Sequence, residues 1–413
     1  MNKAMQEELL CLCSRLIQTR SYSGEEQGVA DIILDFMRRS GFDEAFTDKY
    51  GNVLGCIRGS RPGKRILFDG HIDTVPAENV SDWSVDPFAA TVKDGRIYGR
   101  GASDMKGADA AMLYAIAQFG AGYGDAAEGS GRGSDVSTGS RRDFAGEIWF
   151  AGVVHEECFE GISARIISER VKPDIVIIGE SSEMNIKCSQ RGRAEICLET
   201  FGTPCHSSNP EKGVNAVYAM MKAVERIRKI EPVRQEGMFG NGILELTDIK
   251  SEPYPGASVV PHYCRVTFDR RLLTGETRES VLAPLQQVLD ELSAEDESFR
   301  ALVSFTEGAE LCYTGEHIAA DRFFPAWREN TDSDYVRAVC EAVRRRGFEP
   351  QLTGYSFCTN GSHYGGEAGI PCIGMGPGRE DLAHTVDEYI ELQDLYDICE
   401  YYIAACEALQ TTD

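Results

Sequence analysis

Long apolar runs are missing from this chain of 413 residues: no stretch approaches the ~20 consecutive apolar residues that a membrane-spanning helix needs. Positive charge is also scarce. Against 42 Lys and Arg stand 66 Asp and Glu, a net charge of −24. Nucleic-acid binding rests on concentrated Lys and Arg, so a phosphate-backbone partner is excluded, and a cluster such as Arg344–Arg346 reads as helix surface. The 14 cysteines include no C-x-x-C, Cys11-Leu-Cys13 being the nearest approach, so neither a thiolate zinc knuckle nor a redox dithiol is spelled. The opening MNKAMQEELLCLCSRLIQ carries Glu7 and Glu8 in an amphipathic pattern, which reads as a helix and not as a cleaved signal. Reduced thiols and a cytoplasmic location are therefore expected. Cys158, beside an acidic pair, is the thiol expected to be open to oxidation.

Several catalytic spellings are absent too. His155-Glu156 begins like H-E-x-x-H, but residue 159 is Phe, so a single-helix zinc site fails. Ser103-Asp104-Met105-Lys106 matches S-x-x-K, yet no S-D-N or K-T-G follows, and no G-x-S-x-G elbow occurs. The GSGRGS run lacks the G-K-[ST] ending of a phosphate loop and has no strand immediately before it.

What is present points to two domains, because a chain this long exceeds the size at which one core keeps growing. An opening helix is followed by a hairpin around Gly51-Asn52 and an apolar strand ending at His71. A helix over 108–119 and a buried strand over 146–157 complete a βαβ unit, and 173–181 forms another strand. Between helix and strand, the Gly/Ser-rich stretch 120–146 is too poor in apolar residues to offset its ordering entropy and is expected to be a flexible loop. From 188 the order becomes β-α-β-β-α-β, and from about 332 the earlier α/β style resumes. The expected fold is thus α/β: a larger domain in two parts, 1–187 and 310–413, with an α+β, ferredoxin-like domain inserted at 188–309.

Ionisable residues gather at the ends of the apolar strands of the outer domain: His71, Asp104, Glu156 with Glu157, Glu180 and His384. Strand ends are where open α/β sheets place their sites. In GHID, His71 and Asp73 point the same way along an extended backbone, as a ligand and its orienting carboxylate would, or as a core histidine with its partner. Taken singly, Asp104 could cap a helix, Glu180 could be a loop acid and His384 a structural histidine, but all of these at once make a poor account. Adjacent Glu156 and Glu157 repel and call for a cation, and two histidines with several carboxylates suit zinc, manganese or cobalt.

DGHIDTVP, GRGASDMKG, HEE, GES and AHTVDEY, in this order and across essentially the whole chain, resemble the motifs of the M20 metallopeptidase family, with the YgeY-type hydrolases as the nearest-looking subgroup. The resemblance implies a mixed-sheet metallopeptidase catalytic domain in the two outer parts, a lid and dimerisation role for the inserted domain, and a two-metal site. In it Asp104 bridges, His71 and Glu180 complete one metal, and Glu157 and His384 complete the other. Asp73 would orient His71, Glu156 would act as general base, and the Asp104-Met105 peptide would be cis. In the inserted domain, His206 matches the histidine that reaches toward the oxyanion, usually from a partner subunit, and Arg271 the residue that binds a substrate carboxylate. Asn360 and the GMGPG turn with Gly376 would line the pocket. Ser258 stands where relatives often have Asn before V-I-P, which alters the expected substrate geometry.

The implied activity is cleavage of the amide bond of an N-acyl amino acid or small peptide by a homodimer joined through the inserted domain. The cofactor is a pair of divalent ions, zinc first, with cobalt or manganese as alternatives. The same site would serve a dipeptidase or carboxypeptidase. A catalytically inactive metal-binding scaffold is the third reading, and the intact Glu156 speaks against it.

Overall fold

The computed structural model describes residues 1–122, 142–234 and 239–410. Over 123–141, the Gly/Ser-rich stretch expected to be a flexible loop lies outside the described residues. The larger sheet is mixed and, among the described residues, has nine strands. At its centre Arg61–His71 lies parallel to both Ala145–Val153 and Ile175–Ile178. These three read as near-continuous apolar runs because helices cover both faces and leave no solvent side. The helices Gly107–Gly120 and Leu392–Gln410 share one core cluster with Phe68 and Phe150. Trp149 and Val176, on the opposite face, pack with Ile167 and Val171 of the helix Ile162–Val171. Small side chains let Gly107–Gly120 bury every residue from Gly107 to Ala117. Such an all-round apolar helix belongs inside a large domain.

The smaller sheet is antiparallel, in the order Ile243–Glu252, Tyr263–Leu272, Gly192–Phe201, Ala301–Phe305. In sequence order this is 2-3-1-4, and the helices Ala216–Ile227 and Arg278–Glu295 cover one face with their own core. The β-α-β-β-α-β order read from the sequence is this domain.

Three expected boundaries move. Ile186–Gln190 pairs within the larger sheet, so the chain crosses to the smaller one at Arg191, not at 188. Phe323–Phe324 still pairs with Gly192–Phe201, whereas Trp327–Arg328 pairs with Ile186–Gln190. The return therefore falls near Pro325, past the hairpin Glu307–Leu311/His317–Asp321, and not at 309. Pairing partners decide these limits, and a break in hydrophobic texture does not reveal them. The strand expected over 146–157 stops at Val153, because His155 takes a left-handed conformation (φ 59°) that an extended run cannot contain.

Candidate metal centre

Parallel neighbours end at the same edge of a sheet, so the residues just past the three central strands meet there. His71 closes the first, Glu156 and Glu157 follow Val153, and Glu180 follows Ile178. Asp104 sits ahead of the helix Gly107–Gly120 at a cis Asp104-Met105 peptide, as the resemblance implied. His384 arrives on the loop between Cys372–Gly374 and Tyr389–Glu391.

Asp104 lies between two groups. Its Oδ1 is 2.9 Å from His71 Nε2, which is itself 3.6 Å from Glu180 Oε1. Its Oδ2 is 3.3 Å from His384 Nε2, which is 2.8 Å from Glu157 Oε2. Within each triad, His71–Asp104–Glu180 and Asp104–Glu157–His384, one donor atom per residue lies within 4.8 Å of the others. His71 Nδ1 faces the Asp73 carbonyl oxygen at 2.9 Å, so that nitrogen carries the hydrogen and Nε2 is the one free to ligate.

Charge shows what the site wants. Burial, reinforced by neighbouring carboxylates, raises the proton affinity of Glu156, Glu157 and Glu180. Burial opposes ionisation of Asp104 as well, but hydrogen bonds to His384 and His71 outweigh it and hold this carboxyl below its usual range. His384 is pushed up to about 10 by hydrogen bonds to Asp104 and Glu157. His71 is also raised: burial disfavours its charged form, and Glu180 and Asp104 overcome that. Buried Glu180 and half-buried Glu157 on either side of Asp104, held by protons on two imidazoles, form with those imidazoles a donor set of nitrogen and oxygen that divalent transition-metal ions fit. Ligation requires neutral imidazole, so loading metal should release protons and affinity should rise with pH up to about 10, where His384 loses its own proton. A pH indicator in weakly buffered solution would record the release. Uptake without protons, or binding that tightens as pH falls, would contradict this assignment.

Glu156 is 5% exposed, its Oε1 has no partner, and it lines a cavity of about 380 Å³ together with Glu180, His384, Glu160, Arg193 and Arg271. The two arginines come from the smaller sheet, where they are paired in register. Asp269 accepts from Arg271 Nε at 2.7 Å and from Arg193 Nε at 3.2 Å, so one carboxylate holds both side chains.

Residues 67–126 match the family model described as peptidase family M20/M25/M40, and residues 188–297 match the peptidase dimerisation domain that accompanies it. The uncharacterised protein YgeY of Escherichia coli is 31% identical over 390 residues, covering 94% of this chain and 90% of YgeY. The chain belongs to the M20 peptidase family. Within that family, the succinyl-diaminopimelate desuccinylase of Dechloromonas aromatica is 26% identical over 98% of this chain and 100% of its own. The YXEP protein of Bacillus subtilis, described as a dinuclear metal binding peptidase of the M20 family, shares the fold. Its TM-score is 0.70 at 14% identity, covering 99% of this chain and 100% of its own. As an M20 protein the chain is a hydrolase of amide or peptide bonds, and its fold is one for metal-dependent amide hydrolysis.

The structure redistributes several roles expected of this M20 chain. The Asp73 carboxylate stands 3.7 Å from His71 Nδ1, and it is the Asp73 backbone carbonyl that orients the imidazole. The carboxylate instead accepts from the Glu156 and Glu157 amides at 3.1 and 3.2 Å and from Ser23 Oγ at 2.7 Å, fixing the turn that carries both glutamates. Alternation predicts side-chain direction only while the strand lasts, and it ends at His71. Asn360 is buried away from the cavity: its Nδ2 donates to Asp69 at 2.9 Å and its Oδ1 accepts from the Gly161 amide. Gly376 does not line the cavity either. A Cβ there would stand 2.3 Å from the carbonyl oxygens of Gly179 and Glu180, so its bare backbone lets the Glu180 turn sit down. Gly376→Ala should displace Glu180, cost ~1–3 kcal/mol of stability as overpacking does, and weaken metal retention on dialysis. Full retention with an unchanged urea midpoint would refute that role.

His206 and Ser258 lie together on the smaller domain, His206 bridging Val259 and the Ser207 amide donating to the Ser258 carbonyl, both exposed and outside the cavity of their own chain. Beside Arg193, sequence reasoning also missed Glu388. Fully buried, it accepts from the amides of Gly101, Ser103 and Asp104 at 3.1, 2.8 and 3.0 Å and from Arg100 Nη1 at 2.6 Å. It fixes the backbone of Asp104. The signal was its place four residues after His384 in AHTVDEY.

Proposed function

We propose that the protein is a two-metal amidohydrolase that cleaves an N-acyl amino acid or small peptide beside a carboxylate, with Glu156 as general base. The observation that carries this is a buried carboxylate with a free oxygen, Glu156, lining the same cavity as both candidate metal triads while belonging to neither. His71 and Glu180 would hold one ion and Glu157 and His384 the other, with Asp104 shared. Zinc is the first choice for such a donor set, with cobalt or manganese next. When bound, two such ions supply Lewis-acid polarisation of the amide carbonyl and a lowered water pKa.

The protein's own groups do the rest. Glu156 takes a proton from the attacking water and gives it to the departing nitrogen, a task that its raised proton affinity suits. Asp73 holds the Glu156 amide and so keeps the carboxylate in place. Arg271, with only its Nε engaged by Asp269, offers a guanidinium fork to a substrate carboxylate.

His206 would donate to the oxyanion from a second copy, since it lies outside its own cavity. The match to a dimerisation domain supports a homodimer, as does the apolar exposure of Tyr218, Met221 and Ile249, 65%, 61% and 57%. Mixing Glu156→Gln with His206→Ala after subunit exchange tests this. Hybrid dimers contain one intact site if His206 acts across the interface, so activity should reappear. Absence of recovery in hybrids would place His206 elsewhere.

All 14 cysteines are free, which supports a reducing, cytoplasmic setting. No helix among the described residues is long and apolar enough to cross a membrane. Deacylation and dipeptide cleavage share this chemistry and differ in the pocket, where Arg271 favours a free carboxylate in both. Metal analysis combined with a panel of acetyl, succinyl, carbamoyl and aminoacyl amides tests the proposal. Bound metal without turnover on any amide would leave the scaffold reading in its place.

A further inference from the structure

The tetrapeptide His155-Glu156-Glu157-Cys158 divides its side chains between two sides. Glu156 and Glu157 line the catalytic cavity, whereas His155 and Cys158 do not. His155 takes a left-handed conformation (φ 59°), and its ring is not among the side chains lining that cavity. On that other side Cys158 Sγ stands 3.5 Å from His155 Nδ1. Glu310, from the hairpin strand Glu307–Leu311, completes a set whose three donor atoms lie within 4.8 Å of one another. His155 is 2% exposed, and its Nε2 finds no partner. Arg322 steadies the far side, donating to Glu310 Oε1 at 3.2 Å and to the Cys158 carbonyl.

We propose that His155, Cys158 and Glu310 form a further metal site, separate from the catalytic pair and suited to zinc. Sulfur, imidazole nitrogen and carboxylate oxygen within 4.8 Å of one another make up a zinc-type donor set, and a sulfur–nitrogen separation of 3.5 Å matches two neighbouring ligands of a tetrahedral ion with metal–donor distances of ~2.3 and ~2.0–2.1 Å. Binding replaces the thiol proton, which passes to solvent, and involves no change of oxidation state. The ion would tie the hairpin Glu307–Leu311/His317–Asp321 to the turn that carries Glu156 and Glu157, steadying the general base from behind. The competing account is a simple hydrogen bond from the Cys158 thiol to His155.

Cobalt separates the two, because the catalytic donor set contains no sulfur. Full-length protein stripped with a chelator and reloaded with Co2+ should develop a thiolate-to-cobalt charge-transfer band in the near ultraviolet. Cys158→Ser should lose the band and bind one equivalent fewer than wild type, whatever number the catalytic centre itself takes. Glu310→Gln, on a half-buried hairpin, should weaken the band and carries the test should the cysteine variant misfold. Wild type without the band, or a band that persists unchanged in either variant, overturns the proposal.

Discussion

Glu156→Gln should lower kcat at least about a hundredfold, in line with general-base contributions of roughly 10²–10⁴, while leaving fold and metal content as they are. The side chain belongs to neither metal triad, and its Oε1 is buried without a partner, so an amide of the same shape fits the space. What the substitution removes is a group able to accept and return a proton. A KM near that of wild type would mark the loss as chemical and not as one of binding. If kcat falls by less than threefold, another residue is the base and the proposed division between ligands and shuttle is wrong.

Glu388→Ala should damage stability more than any substitution of a ligand. Its carboxylate is fully buried, meets Arg100 at 2.6 Å and accepts three consecutive-turn amides that include that of Asp104. Arg100 is itself 3% exposed, and removing one member of a buried ion pair leaves the other without compensation, at about 3–5 kcal/mol. The three orphaned amides add to this, because a buried donor without an acceptor costs about 1–3 kcal/mol. Urea denaturation of the metal-free protein isolates the effect from metal binding. An unchanged midpoint would mean that Arg100 finds another partner and that Asp104 does not depend on Glu388.

His71 and Glu180 were legible as strand-end residues because each follows an apolar strand, whereas the places of Asp104 on a helix approach and His384 on a loop, and the metal roles of all of them, came from the resemblance of their motifs. Ile66-Leu67-Phe68 before His71 and Ile175 to Ile178 before Glu180 read as apolar strands, and the structure pairs them in parallel, which brings their ends together. The order of the inserted domain was legible for a similar reason: alternating strands and two amphipathic helices leave few ways to cover one face of a sheet. What escaped was set by pairing and by side-chain partners that no local pattern encodes. Asp73 serves two amides and not the imidazole, since the strand geometry that would have aimed it ends two residues earlier. Asn360 reads as a polar pocket residue until Asp69, 291 positions away, claims its amide. Arg193 became visible beside Arg271 only once their strands were in register and Asp269 was seen to hold both.

The account rests on two cations sharing Asp104. Anomalous scattering from crystals of the metal-loaded protein, recorded on either side of the metal's absorption edge, tests this most directly. Two peaks are predicted flanking the Asp104 carboxylate, one touching His71 and Glu180, the other Glu157 and His384, with Glu156 in contact with neither. No peak at that strand edge, or one ligated by Glu156, would contradict it.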